Sequence, residues 1–224
     1  MKLKSFGCSF IFGSELSDTS PDKPWPCFSE LTWPVHLAKH LNYDYHSYAR
    51  PGSGNLQIAE RALSQLACNE YALYVIGWTW IDRFDYSKIT DWQEDRWATL
   101  VPNDNDTTGT TYYKYLHSEY RDKLTTLMAI KLVIDTLNQK GIPFIMTYMD
   151  NLMFDQQWHT TPAVIDLQEY IKPQMTTFEN KTFLDWSRDN GYPETAAWHP
   201  LDEAHRAAAD YIIKVFDKQN IISR

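Results

Sequence analysis

The sequence of 224 residues has little cysteine, no excess of positive charge and no long apolar run, and each shortage removes a class of function. Its three cysteines, Cys8, Cys27 and Cys68, are an odd number without metal-ligand spacing, which points to buried free thiols rather than a disulfide framework or a zinc site. The intervals between His36, His40, His46, His117 and His159 supply no third ligand, so no metal or other cofactor is expected. A formal net charge of −8 argues against a nucleic-acid partner, because phosphate binding needs clustered Lys and Arg. No run is long enough to cross a bilayer, and Met1-Lys2-Leu3-Lys4 leads into a strand pattern without a signal-peptide core. The expectation is therefore a cytoplasmic protein without a membrane partner. No internal repeat or low-complexity tract appears, and nothing sets an oligomeric state.

What is present is an ordinary globular composition, 43% hydrophobic and 22% charged, in a chain long enough for one well-buried core. A single domain over 1–224 is expected. Nine Trp and fourteen Tyr are many for this length; such side chains fill cores and can line sugar- or lipid-binding clefts.

The pattern alternates strand and helix. Lys2 to Ser9 reads as a first strand, Leu16 to Pro26 as a loop, Trp33 to Leu41 as a helix and Tyr43 to Tyr48 as a second strand. A turn at Arg50-Pro51-Gly52-Ser53-Gly54-Asn55 leads to an amphipathic helix from Leu56 to Cys68, which Asn55 is placed to cap. Tyr71 to Trp78 is nearly continuously apolar, as in a parallel strand buried on both faces. Residues 80–111 read as an irregular, aromatic-rich, lid-like insertion. One long helix is expected from Tyr112 to Lys140, closed by Gly141, then a strand from Pro143 to Met149 and helices over Pro162 to Lys172 and Leu201 to Phe216. This order implies an α/β fold with a parallel sheet between two helical layers.

Sites in such sheets form at the carboxyl ends of the strands. Three places qualify: Ser9 after the first strand, residues 52–55 after the second, and residues 77–79 after the third. A serine projected from a strand end into a helix start has backbone N–H groups beside it, but needs a base to become a nucleophile. His199, in the loop before the last helix, is placed to be that base, with Pro200 at a position where its missing N–H costs nothing. His205 falls on the buried stripe of that helix with Leu201, Ala204, Ala208, Tyr211, Ile212 and Val215. Asp82-Arg83-x-Asp85 reads either as a surface ion pair or as a substrate contact.

In their order along the chain, these residues resemble the SGNH (GDSL-like) hydrolases. Gly7-Cys8-Ser9-Phe10, with Gly13 and Glu15 following, is similar to the family's first block in its G-C-S-F-x-x-G-x-E-L variants. The Trp-Pro-x-x-Leu-Ala helix, the turn glycine at Gly52 (Gly54 as the near alternative) and His199-Pro200 with His205 six residues on are similar to further parts of the pattern. The resemblance implies a three-layer α/β/α, flavodoxin-like fold and hydrolysis of a carboxylic ester, with a small acyl ester or acylated carbohydrate as substrate. It implies Ser9 as nucleophile, His199 as base, and Gly52 or Gly54 with Thr79 as oxyanion and substrate contacts.

Two departures stand out. Gly77-Trp78-Thr79-Trp80 replaces Gly-x-Asn-Asp, and the aspartate three residues before the histidine is Ala196. The orienting acid is then sought in Glu194, in Asp150, or in an Asp202–His205 pair, or a backbone carbonyl takes its place. The same departures motivate an alternative, a catalytically degraded binding or structural module using the aromatic segment from Trp78 to Trp97. The G-C-S-F variants are similar to bacteriophage and bacterial proteins, which makes a virion-associated protein the alternative localisation.

Overall fold

A computed structural model describes residues 1–19, 27–87, 97–102 and 106–219, with side chains as far as Val215. The loop expected from Leu16 to Pro26 lies partly outside these residues. Four parallel strands form the central sheet in the order β2-β1-β3-β6: β1 (Lys2–Phe6), β2 (Asp44–Ser47), β3 (Ala72–Trp78) and β6 (Phe144–Tyr148). The pairings align Lys2 with Asp44 and with Ala72, and Tyr74 with Phe144. Every residue of β3 is buried, as its position inside the sheet demands.

Side-chain alternation along β3 divides the core in two. Tyr74, Ile76 and Trp78 pack with α3 (Asn55–Ala67), α5 (Glu119–Gln139) and α6 (Pro162–Ile171), through Ile58, Ala62, Leu127, Ile130, Val133, Ile134 and Val164 among others. Leu73 and Val75 face the opposite layer, where α2 (Trp33–Leu41), α7 (Phe183–Asp189) and α8 (Asp202–Gln219) contribute Trp33, Leu37, Phe183, Trp186, Ala204, Ala208 and Ile212. The result is the three-layer α/β/α arrangement. Burying each of these large apolar side chains contributes about 1.5–3 kcal/mol, so the two faces together drive the fold.

Several local expectations need correcting. The first strand stops at Phe6, and Ser9 opens a single helical turn, α1 (Ser9–Phe12). The long helix from Tyr112 is two helices, α4 (Thr107–Tyr115) and α5, because Ser118 breaks the run and caps α5 by accepting the Arg121 N–H. Residues 80–111 are not wholly irregular: β4 (Phe84–Ser87) and β5 (Trp97–Leu100) pair antiparallel as a separate ribbon. Of the three thiols only Cys8 is buried, and Cys68 is exposed. No helix among the described residues is long and apolar enough to cross a membrane.

The turn α1 lies very close to the sheet. A Cβ on Gly7 would stand 2.5 Å from Ile11 Cγ1, and one on Gly77 would stand 2.6 Å from the same atom. Glycine just past the end of β1 and within its neighbour β3 therefore lets Ile11 sink between them and seats the Ser9 turn against the carboxyl end of the sheet.

Candidate active site

Ser9 is the first residue of α1 and is 7% exposed. The Ile11 and Phe12 N–H groups both donate to the Cys8 carbonyl, 3.1 and 3.0 Å away. The Ser9 N–H itself meets no acceptor among the described residues, as expected for the first amide of a helix. After one turn the chain reverses. Gly13 takes the left-handed conformation (φ 80°), with its N–H and that of Ser14 on the Ser9 carbonyl. Glu15 follows, also left-handed at φ 67°. That conformation costs a non-glycine residue roughly 1–2 kcal/mol.

The reversal brings Glu15 to His199. Its Oε2 lies 2.5 Å from His199 Nδ1, and the Thr195 hydroxyl donates to the same oxygen at 2.7 Å. On the other side of the ring, His199 Nε2 is 2.8 Å from Ser9 Oγ. With the Nδ1 proton directed at the carboxylate, Nε2 presents its lone pair to the serine hydroxyl, as a nucleophile–base–acid relay requires. The hydrogen bond from His199, followed by that from Thr195, holds the Glu15 carboxyl below the usual carboxylate range.

His199 is fixed by its own loop. The Thr195 hydroxyl accepts the N–H groups of Ala197 (3.2 Å) and His199 (3.3 Å), while the Thr195 N–H donates to the His199 carbonyl at 3.0 Å. The Phe10 ring stands edge-on to the imidazole with centroids 5.2 Å apart, and Trp80 stands edge-on to Phe10 at 5.5 Å. The His199 side chain is 15% exposed and that of Glu15 48%, so the relay opens to solvent at its acid end.

The three acids expected from sequence are engaged elsewhere. Glu194 makes a two-pronged pair with Arg188, at 2.9 and 3.1 Å. Asp150 is buried and accepts the N–H groups of Ile81 (3.0 Å) and Leu152 (2.9 Å). Asp202 accepts the Ser17 N–H at 3.1 Å and the Ser17 hydroxyl, which ties the start of α8 to the segment just after Glu15. The Asp202–His205 alternative does not form. His205 is buried against Phe183 and accepts the Trp33 N–H on Nδ1 at 3.2 Å. Burial lowers its pKa to about 3, so it is a neutral structural acceptor. The sequence signal for Glu15 lay in the first block itself, two residues after Gly13.

The three strand-end positions also separate. Gly52 is exposed, with φ 77°, and its N–H meets no acceptor among the described residues. Its turn is fastened at the end of β1 by the Arg50 N–H, which donates to the Gly7 carbonyl at 3.0 Å. Gly54 differs: its N–H is taken by Asp85 Oδ1 at 3.0 Å, which removes it as an oxyanion donor. Thr79 is fully buried; its N–H donates to Asn55 Oδ1 at 2.8 Å, and its hydroxyl has no partner among the described residues. Asn55 therefore does not cap α3. Its amide donates to the Thr79 and Trp80 carbonyls, at 3.1 and 3.3 Å, stitching the helix start to the end of β3.

Among known proteins, no family model matches the sequence, and no curated protein does. Solved structures do match. The chain is similar to a psychrotrophic esterase, EstA, from Pseudoalteromonas sp., with 11% identity, 97% of each chain covered and a TM-score of 0.54. It is similar to a lipolytic protein of the G-D-S-L family from Veillonella parvula, with 14% identity, 97% of this chain and 98% of that one covered, and a TM-score of 0.51. The fold is that of the G-D-S-L (SGNH) hydrolases. An acetyl xylan esterase, Est2A, from the rumen bacterium Butyrivibrio proteoclasticus matches at 14% identity and a TM-score of 0.54. There, 99% of this chain covers 64% of a longer one. Within that SGNH fold, the strand-end serine and the loop histidine before the last helix lie within hydrogen-bonding distance of each other.

Proposed function

We propose that this protein is a serine hydrolase of carboxylic esters with small acyl groups, acting through Ser9, His199 and Glu15. The observation that carries the reading is the continuous relay from Ser9 Oγ through both ring nitrogens to a carboxylate, at 2.8 and 2.5 Å. In the reaction, Ser9 Oγ attacks the carbonyl carbon as its proton passes to His199 Nε2. Glu15 stabilises the imidazolium that results. The tetrahedral oxyanion receives the Ser9 and Gly52 N–H groups, neither of which has another acceptor among the described residues. Collapse expels the alcohol, which takes the proton from Nε2. A water molecule then attacks the acyl-serine by the same route, releasing the acid and restoring Ser9.

The esterase and acetyl xylan esterase neighbours favour small ester or O-acetylated carbohydrate substrates. The missing asparagine is a real deficit. The Thr79 hydroxyl is buried in its place, and losing one oxyanion donor costs about 100- to 1,000-fold in rate. That deficit favours the second reading, a binding module built on a hydrolase fold. Two measurements separate them. Ser9→Ala is expected to abolish p-nitrophenyl acetate hydrolysis without lowering the melting temperature, and a fluorophosphonate probe is expected to label Ser9 stoichiometrically. Folded protein that neither turns over the ester nor takes the label would favour the module.

A further inference from the structure

The helix α3, which follows the Gly52 turn, has no side chain of its own at its N-terminus. Its capping position is Gly54, and no local hydroxyl or carboxylate serves its first amides. The missing cap comes from 31 residues away in the chain. Asp85, on β4, accepts the Gly54 N–H on Oδ1 (3.0 Å) and the Gln57 N–H on Oδ2 (2.8 Å), while the Thr99 hydroxyl of β5 donates to Oδ1 at 2.6 Å. One carboxylate thus does the work that a capping residue and its third-position glutamate share in an ordinary helix start. The fit leaves no room for a side chain at 54, where a Cβ would lie 2.6 Å from the Asp85 oxygens.

Other contacts converge on the same turn. Arg83 Nη1 donates to the Ser53 carbonyl at 3.0 Å, with its guanidinium stacked on Trp80. Arg61 Nη1 donates to the Ser53 hydroxyl at 2.8 Å, and that hydroxyl donates to Gln57 Oε1, also at 2.8 Å. On its other side the turn is fastened to Gly7 through Arg50. Within the Asp82-Arg83-x-Asp85 motif, Arg83 and Asp85 thus bind the turn and the start of α3 instead of pairing with each other at the surface. Asp85 is buried, and its burial raises its pKa against the opposing hydrogen bonds.

We propose that Asp85 is a positioning residue for ester hydrolysis: by capping α3 from the β4–β5 ribbon, it sets the turn that presents the Gly52 N–H to the oxyanion. The ribbon is then part of the catalytic frame, beyond any covering role. The inference rests on the hydrolase reading above. Wild type, Ser9→Ala, Asp85→Ala, Gly54→Ala and the Gly54→Ala/Asp85→Ala double variant are compared by ester kinetics, thermal melting and amide hydrogen exchange over residues 50–57. In Asp85→Ala we expect kcat to fall about 10- to 100-fold, part of the loss known for deleting a whole oxyanion donor. KM should stay within about two-fold, because that donor acts chiefly in the transition state, and the 50–57 amides should exchange faster. Gly54→Ala should cost kcat similarly alone, and much less once Asp85 is alanine, since the collision is then gone.

Unchanged kcat, unchanged exchange at 50–57, or a loss of kcat that only tracks the folded fraction would each overturn the proposal. A wild type no faster than Ser9→Ala is a different failure. It would overturn the hydrolase reading, and with it the catalytic role of Asp85.

Discussion

Replacing Glu15 tests whether the acid of the relay has moved into the nucleophile's own loop. The size of the effect follows from exposure. Removing the orienting acid from a complete, buried triad costs roughly 10,000-fold, about 5.5 kcal/mol. Glu15 is half exposed, so its attraction for the imidazolium is screened. Opposite unit charges about 4 Å apart interact by about 1 kcal/mol in water and about 4 kcal/mol at a partly buried site. The expected loss in Glu15→Ala is therefore roughly 10- to 1,000-fold in kcat, centred near 100-fold and short of the buried-triad figure. Glu15→Gln should be faster than Glu15→Ala, though slower than wild type. The Thr195 hydroxyl and His199 Nδ1 meet the same oxygen, so the glutamine carbonyl oxygen takes the Oε2 position and accepts from both. The Nδ1 proton then stays in place and Nε2 keeps its lone pair toward Ser9, while the neutral amide stabilises the imidazolium less than a carboxylate does. With alanine, water takes the Nδ1 proton. The assay is kcat and KM for p-nitrophenyl acetate across wild type, Glu15→Ala, Glu15→Gln and Glu15→Asp. Glu15→Ala within three-fold of wild type, or Glu15→Gln slower than Glu15→Ala, would refute the assignment.

Two further expectations concern stability. His205 is neutral in the fold with its pKa lowered to about 3, against an ordinary 6.5. Its contribution is fully present above pH 6.5 and is lost as the pH falls toward 3, by as much as roughly 5 kcal/mol. His205→Asn keeps an acceptor for the Trp33 N–H and does not titrate. Its melting temperature should fall less steeply than wild type between pH 6.5 and pH 3, and parallel curves would show that His205 does not carry the acid sensitivity. Gly7→Ala puts a methyl group 2.5 Å from Ile11 Cγ1 and 3.0 Å from the Gly77 carbonyl. Overpacking of this kind costs about 1–3 kcal/mol. Urea unfolding should show that loss, together with slower turnover as Ser9 shifts; a midpoint equal to wild type would count against the close seating of α1.

Much of the fold is legible in sequence because hydrophobic period reports burial directly. The unbroken run in β3 requires a strand covered on both sides, and the stripes of α3 and α8 require layers to lie against. The elements that escape are those whose ends depend on hydrogen bonds rather than on apolar pattern. The Ser118 cap splits an otherwise continuous helical stretch, and the β4–β5 ribbon has little apolar alternation to announce it. Ser9 and His199 are likewise legible, since one follows a strand end and the other precedes a helix carrying its own buried stripe.

The acid is a different kind of fact. Spacing from His199 directs attention to Ala196, Glu194 and Asp202, but a hydrogen bond is formed by proximity in space. Glu194 has Arg188 beside it, Asp202 has Ser17, and Asp150 has two backbone amides. In sequence Gly54 is the near alternative to Gly52, but in space Asp85 accepts its N–H. The sequence by itself determined the layered fold and singled out Ser9 and His199 as a candidate pair, because burial period and position at the ends of elements are local properties of the chain. Only the tertiary structure decided which carboxylate completes the pair and which glycine keeps its N–H free. Both depend on two left-handed residues, Gly13 and Glu15, turning the chain back, and on a ribbon from elsewhere in the chain reaching the start of α3.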